Sequence, residues 1–228
     1  MERELAPLAL FVYNRPYHTR LTVESLQRNV LAGQTNLYVY SDAAKSGNES
    51  RVEEVRNYIK GIKGFKSLTI IEREENYGLA KSIIAGVTDL TERYGKVIVF
   101  EDDLVSSPYT LQYFNEALNK YASQEKVMHI SAYMYPLKNP EELEDTFFYR
   151  VAHSWGWATW KRAWDNFNPD IDDLIQQFDE HKIYQFSIER KMNFWNQVQE
   201  FKTGKNNSWA IRWYASMFLK DGLSLNPS

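Results

Sequence analysis

The chain has 228 residues, 43% of them apolar and 25% charged, enough for one α/β domain with a sizeable core. Its net charge of -3 argues against a general nucleic-acid binder, which carries a basic surplus. The sequence contains no Cys, which excludes disulfides, thiolate metal sites and Cys nucleophiles and fits a reducing compartment. No apolar run is long enough to span a membrane, and the opening Met1-Glu2-Arg3-Glu4 is not a signal peptide, so a cytoplasmic protein is expected.

Leu8 to Tyr13 is an apolar run closed by Asn14-Arg15-Pro16, a buried strand entering a loop. A helix is expected from about Thr19 to Val30, then a strand over 37–40 that ends at Ser41-Asp42. Val52, Val55, Ile59 and Ile62 recur at helical spacing, and 67–71 gives a third strand. Asn76-Tyr77-Gly78 is a turn, with Asn76 a candidate cap, and Ile83, Val87, Leu90 and Tyr94 mark the next helix face. Val97 to Phe100 is a continuous apolar strand running into Glu101-Asp102-Asp103. Ser107-Pro108 reads as a helix start, and 127–131 as a further strand.

Strands alternating with helices predict a mostly parallel central sheet flanked by helices. Residues 1–132 form the expected α/β half and 133–228 a helical, Trp-rich part of the same domain, which the resemblance described below would make the nucleotide-sugar-binding half and the acceptor side. In that second part 136–146 reads as an exposed loop, with helices near 171–180, 186–202 and 208–220. The chain then stops at Asn226-Pro227-Ser228, which reads as a truncated end.

Open parallel sheets bind ligands beyond the carboxyl ends of their strands. Three such ends carry polar groups here: Asn14-Arg15, Ser41-Asp42 and Glu101-Asp102-Asp103. Adjacent carboxylates repel one another unless a cation or donors offset them, so the triplet is a candidate seat for Mn²⁺ or Mg²⁺ with phosphate oxygens. An isolated acidic triplet is more often a solvated loop; its place after a buried strand reverses that reading. Arg15 suits either a phosphate or one of the acids. Asp42 suits a base or ribose, although Ser-Asp is also a common turn pair. Lys81, one turn into a helix, adds positive charge beside free N–H groups. His153-Ser154-Trp155-Gly156-Trp157 offers indoles for a sugar face or, equally, a hydrophobic anchor. Trp160 with Trp164, and Trp209, Trp213 and Met217, read as core, and Asp170, Asp172 and Asp173 as a helix-start patch.

Taken together, Asn14-Arg15-Pro16, Ser41-Asp42, Asn76-Tyr77-Gly78-Leu79, Glu101-Asp102-Asp103, the Trp155 to Trp160 block and Ser208-Trp209-Ala210-Ile211-Arg212-Trp213 resemble GT-A glycosyltransferases. Within these the chain is similar to bacterial sugar transferases related to N-acetylglucosaminyltransferase I. The resemblance implies a Rossmann-like GT-A fold and metal-dependent transfer, with inversion, from a nucleoside-diphosphate sugar, a UDP-sugar among the options. The acceptor would be a hydroxyl of a glycan or glycolipid, in surface polysaccharide or glycolipid synthesis, with peripheral membrane association one option. It implies that Asp103 ligates the metal, that Glu101 and Asp102 contact the donor sugar or ribose, and that Asp42 contacts the nucleoside. Trp155, Gly156 and Trp157 would line the donor or acceptor pocket. Ala210 and Ile211 stand where that family carries acids after a Trp, so no catalytic base is identified, and no closing His segment follows. Two alternatives stay open: a sugar-phosphate nucleotidyltransferase, which Tyr13-Asn14-Arg15-Pro16 opposes by lacking a Gly-rich loop, and a non-catalytic carbohydrate-binding domain.

Overall fold

A computed structural model describes residues 4–228; Met1 to Arg3, the opening of the expected acidic N-terminus, lie outside the described residues. The apolar runs form the first strands: β1 (Leu8–Val12), β2 (Asn36–Ser41), β3 (Ser67–Glu72), β4 (Lys96–Glu101) and β5 (Val127–Ser131). Helices α1 (Pro16–Gln27), α2 (Glu49–Ile59), α3 (Gly78–Tyr94) and α4 (Thr110–Lys120) alternate with them. β6 (Thr146–Tyr149), β7 (Trp157–Trp160) and β8 (Leu223–Pro227) complete one eight-stranded sheet in the order β3-β2-β1-β4-β7-β5-β8-β6. β7 runs antiparallel to β4 and β5, and β6 antiparallel to β8, while the other pairings are parallel. The predicted α/β class with a mostly parallel, helix-flanked sheet is therefore observed.

Every residue of β1 and β5 is buried, as expected for strands covered on both faces. The register sets the site. Val12 pairs with Ser41 across β1 and β2, and Phe11 with Glu101 across β1 and β4. The segments that leave these three strands, Tyr13 to Arg15, Asp42, and Asp102 to Asp103, therefore emerge side by side at the carboxyl end of the sheet.

Beyond residue 133 the chain departs from the helical reading. β6 and β7 lie in an aromatic stretch for which the sequence pattern predicts no strand. β7 is four buried residues wedged between β4 and β5, pairing Val99 with Trp157 and Ile130 with Ala158. α5 (Lys161–Trp164), α6 (Ile171–Gln176), α7 (Glu180–Phe186), α8 (Phe194–Lys202) and α9 (Trp209–Leu219) pack over it. The single helix expected over 186–202 is broken, because Ile188, Glu189 and Arg190 adopt φ of 49°, 50° and 62°, outside the helical region. The segment expected to be helical near 171–180 ends α6 at Gln176, and Asp179 caps α7 through the Lys182 amide. α4 starts at Thr110, not at Ser107-Pro108, which instead form a turn closed by the Thr110 amide on the Ser107 carbonyl.

Trp209, Trp213 and Met217 on α9 are buried, and so are Trp160 on β7 and Trp164 on α5, so the core readings hold. Asp170 caps α6 by accepting from the Asp172 and Asp173 amides, which accounts for that acidic patch.

Candidate functional site

Three adjoining cavities run along the carboxyl end of the sheet, where the strand ends emerge. The first, about 270 Å³, is lined by Asn14, Arg15, Asp42, Asn76, Glu101 and Asp102 among others. The second, about 400 Å³, shares Leu79 and Glu101 with it and adds Asp103, Trp155 and the Ser208 to Ala210 start of α9. The third, about 270 Å³, shares Ser154, Trp155 and Ala210 with the second and is walled by Tyr133, Tyr135, His153 and Phe194. The shared residues make the three one groove with a charged end and an aromatic end.

The charged end is organised by Arg15. Its guanidinium bridges Asp102 and, at 2.8 Å, the Oδ2 of Asp103. Asp102 is 2% exposed and also accepts from the Tyr13 amide, so its carboxylate is occupied within the protein. Burial pushes the Asp102 carboxyl upward, and Arg15 and the Tyr13 amide pull against that. Glu101 faces both charged cavities, and burial, reinforced by Asp103 and Asp102, raises it to about 7. Asp103 is the most open of the three, with a side chain 40% exposed.

Asp42 is likewise occupied by partners inside the protein. Its carboxylate accepts from the amides of Ala43, Tyr77 and Gly78, the last two at 2.8 Å. An acid at the end of β2 thus supplies the negative partner at the N-terminus of α3. Asn76, a candidate for that cap, instead donates from Nδ2 to the Ala43 carbonyl. The two contacts bind the turn before α3 to the loop after β2. Asn14 donates to Asn48 Oδ1 at 2.7 Å, tying the β1 and β2 loops together. Lys81 points its ammonium at the Tyr77 ring, 3.9 Å from the centroid, on the exposed side of α3.

The Trp155-Gly156-Trp157 block divides. Gly156 takes φ 73°, a conformation that favours glycine, and an added Cβ would lie 3.3 Å from the Phe100 ring. Trp155, 56% exposed, lines two cavities, whereas Trp157 is fully buried, stacked on His129 and Trp209. Trp157 is thus corrected from pocket wall to core: the left-handed glycine turns one indole out and the next one in. His129 is neutral in the core, accepting from Trp213 Nε1–H on Nδ1 and donating from Nε2–H to the His153 carbonyl. His153 is buried as well, and its Nε2 has no hydrogen-bond partner.

The sequence pattern does not single out several groove residues. Tyr133 and Tyr135 follow directly from β5, and aromatic residues two apart at a strand end are the available signal. Leu79, the last residue of the Asn76-Tyr77-Gly78-Leu79 motif, lies between the charged cavities, a place that an apolar residue in a helix's first turn does not reveal.

Among the described residues no group of three or more His, Asp or Glu side chains converges to hold a metal ion. A hard divalent cation needs no such group when phosphate oxygens complete its shell, since one or two carboxylates suffice. Asp103 fits that pattern: Arg15 holds one of its carboxylate oxygens, and the side chain, 40% exposed, lines the groove.

No protein family and no curated protein matches the sequence. The fold does match solved structures. Mannosyltransferase PcManGT from Pyrobaculum calidifontis, solved in complex with GDP-Man and Mn²⁺, covers 97% of this chain and 70% of its own at 12% identity and a TM-score of 0.50. S. aureus TarS, as its 1-349 fragment, covers 57% of this chain and 36% of its own at 15% identity and a TM-score of 0.40. The first likeness shows that the chain shares its overall fold with that mannosyltransferase. It does not extend to the narrower resemblance to N-acetylglucosaminyltransferase I. No helix among the described residues is long and apolar enough to cross a membrane.

Proposed function

We propose that the groove transfers a sugar from a nucleoside-diphosphate sugar to a hydroxyl acceptor. The observation that carries this reading is the convergence of Arg15, Asp42 and Glu101-Asp102-Asp103 at the carboxyl ends of β1, β2 and β4. That is where an open parallel sheet seats a nucleotide. The mannosyltransferase of the same fold, with its GDP-Man and Mn²⁺, supports a nucleotide-sugar donor and a divalent metal.

In this reading the nucleoside enters the cavity over Asn14 and Asp42, whose amide-bound carboxylate fixes the cavity wall. Arg15 holds the acidic strand end together and offers positive charge to the diphosphate. Asp103 would hold Mn²⁺ or Mg²⁺, which supplies charge neutralisation for the leaving diphosphate. Glu101, common to the donor cavity and the one beyond it, contacts the donor sugar. The acceptor oxygen forms a bond to the anomeric carbon as the bond to the diphosphate breaks, and the hydroxyl proton leaves to a base. Inversion, and a place in cytoplasmic surface-polysaccharide or glycolipid synthesis, are the parts of the reading that rest on resemblance.

Calorimetric titration of GDP and UDP, with and without Mn²⁺, tests it on the wild type and on Asp103→Asn. The expected result is metal-dependent binding of one nucleotide that weakens by about tenfold or more, roughly 1.4 kcal/mol, in the variant. Because Asp103 is the lone open carboxylate of its triplet, Mn²⁺ alone is expected to bind far more weakly than Mn²⁺ with nucleotide. Failure of both nucleotides to bind, with Mn²⁺ or Mg²⁺, would sink the proposal.

A further inference from the structure

The geometry points to the third cavity, between the loop after β5, the His153 to Trp155 segment and α8, as a site for a single pyranose ring. Calling that ring the terminal sugar of a glycan acceptor rests on the glycosyltransferase reading above; the sugar site itself does not.

Three features carry the inference. First, Trp155 and Tyr135 are 56% and 41% exposed, although rings of their size are usually covered. Both line this cavity, with Tyr133 between them at ring-centroid distances of 4.6 Å and 5.5 Å. The exposed rings are held in place. Gly156 turns the Trp155 indole away from the core, and His129, itself fixed by Trp213, anchors the loop by donating to the His153 carbonyl. A rigid aromatic face costs little ordering entropy when it binds.

Second, the lining mixes ring faces with polar groups: Ser154, Gln197 and the tyrosines. A pyranose presents an apolar C–H face and a rim of hydroxyls, and it matches both. A polyisoprenoid chain would leave those polar groups unpaired. His153 adds a neutral imidazole, pushed down to about 4 by burial, whose Nε2 lacks a partner.

Third, the cavity adjoins the one that holds Glu101 and Asp103, the two sharing Ser154, Trp155 and Ala210 as wall. Its volume of about 270 Å³ gives room for one ring.

Saturation-transfer NMR with methyl pyranosides of mannose, glucose, galactose and N-acetylglucosamine tests the site, on wild type, Trp155→Ala, Tyr135→Ala and Asp103→Asn. Both aromatic side chains are exposed, and unchanged melting temperatures would show that the variants fold. One pyranoside is expected to receive saturation on its ring C–H protons. Its affinity should fall about tenfold in Trp155→Ala, less in Tyr135→Ala, and stay unchanged in Asp103→Asn. Absence of transfer to every pyranoside, or binding that survives Trp155→Ala, would overturn the inference. Nucleotide binding without pyranoside binding would leave the donor site standing and remove this one. Pyranoside binding without nucleotide binding would keep the sugar site and remove the transferase reading.

Discussion

At one end of the groove, Arg15 spans Asp102 and Asp103, and Asp42 holds the turn before α3; these contacts are charged and their residues come from three strand ends. At the other end, Trp157, His129, Trp209 and Trp213 stack and hydrogen-bond inside the core, and only Trp155 and the tyrosines reach the surface. The first region has its shape set by ion pairs and amide donors, the second by ring packing. The difference teaches where each can be altered. The charged end has polar groups that serve structure and ligand at once, whereas the aromatic end assigns the two duties to different residues, often neighbours in sequence.

The sharpest test of that division is the pair around Gly156. Trp157→Ala empties a fully enclosed indole site and is expected to destabilise by about 3–5 kcal/mol, read from urea unfolding. Trp157→Phe should be milder, because Trp157 Nε1 is buried without a partner and the change removes that penalty. Trp155→Ala, two residues away, should stay within about 0.5 kcal/mol of wild type. Equal losses at 155 and 157 would break the comparison.

Next in size is the charged end. Arg15→Met leaves Asp102 buried without its cation, a defect worth about 3–5 kcal/mol for a wholly enclosed pair. Arg15 is 44% exposed at its side chain, so screening and water reduce the expected loss to about 2 kcal/mol. The double variant Arg15→Met with Asp102→Asn should recover part of it, since no unpaired charge then remains buried. A double variant no better than the single one would mean that packing, not charge, holds this end.

The two regions also differ in how far the sequence reveals them. The runs that become β1, β2, β4 and β5 are continuous and apolar, and the acids and Arg15 sit directly after them, so the charged end is legible from local pattern. The pairing of Arg15 with the acids is one of two readings the pattern allows, because it does not say whether a guanidinium meets a phosphate or a carboxylate. Asp42 as the partner of the α3 amides, 35 and 36 residues away, is not legible, since that contact exists only through the β2 loop geometry. β7 is hidden for a related reason: Trp157 to Trp160 is too short to show a period, and its place between β4 and β5 is a long-range antiparallel insertion. The break after α7 carries neither Gly nor Pro, so the left-handed run at Ile188 to Arg190 leaves no mark in the sequence.

The dependence on pH has opposite signs at the two ends. His129 and His153 are held neutral, pushed down by burial to about 3 and about 4. Their unfolded forms bind protons below about pH 6.5, so both contributions to stability are lost as pH falls from there. Glu101 is raised to about 7, so the folded state holds its proton where the unfolded state has lost it. Its contribution is present below about pH 4.5 and fades as pH rises toward 7. Between about pH 5 and 6 the unfolded chain therefore gains two protons at the histidines while the folded chain keeps one at Glu101. The histidines outweigh Glu101, so these three groups together lower stability as the pH falls through this window. Glu101→Gln removes the opposing proton and should steepen that fall, read from urea midpoints across the same window. An unchanged slope in Glu101→Gln would show that the carboxylate end does not carry its proton in the folded state, and the histidines alone would then set the acid limb.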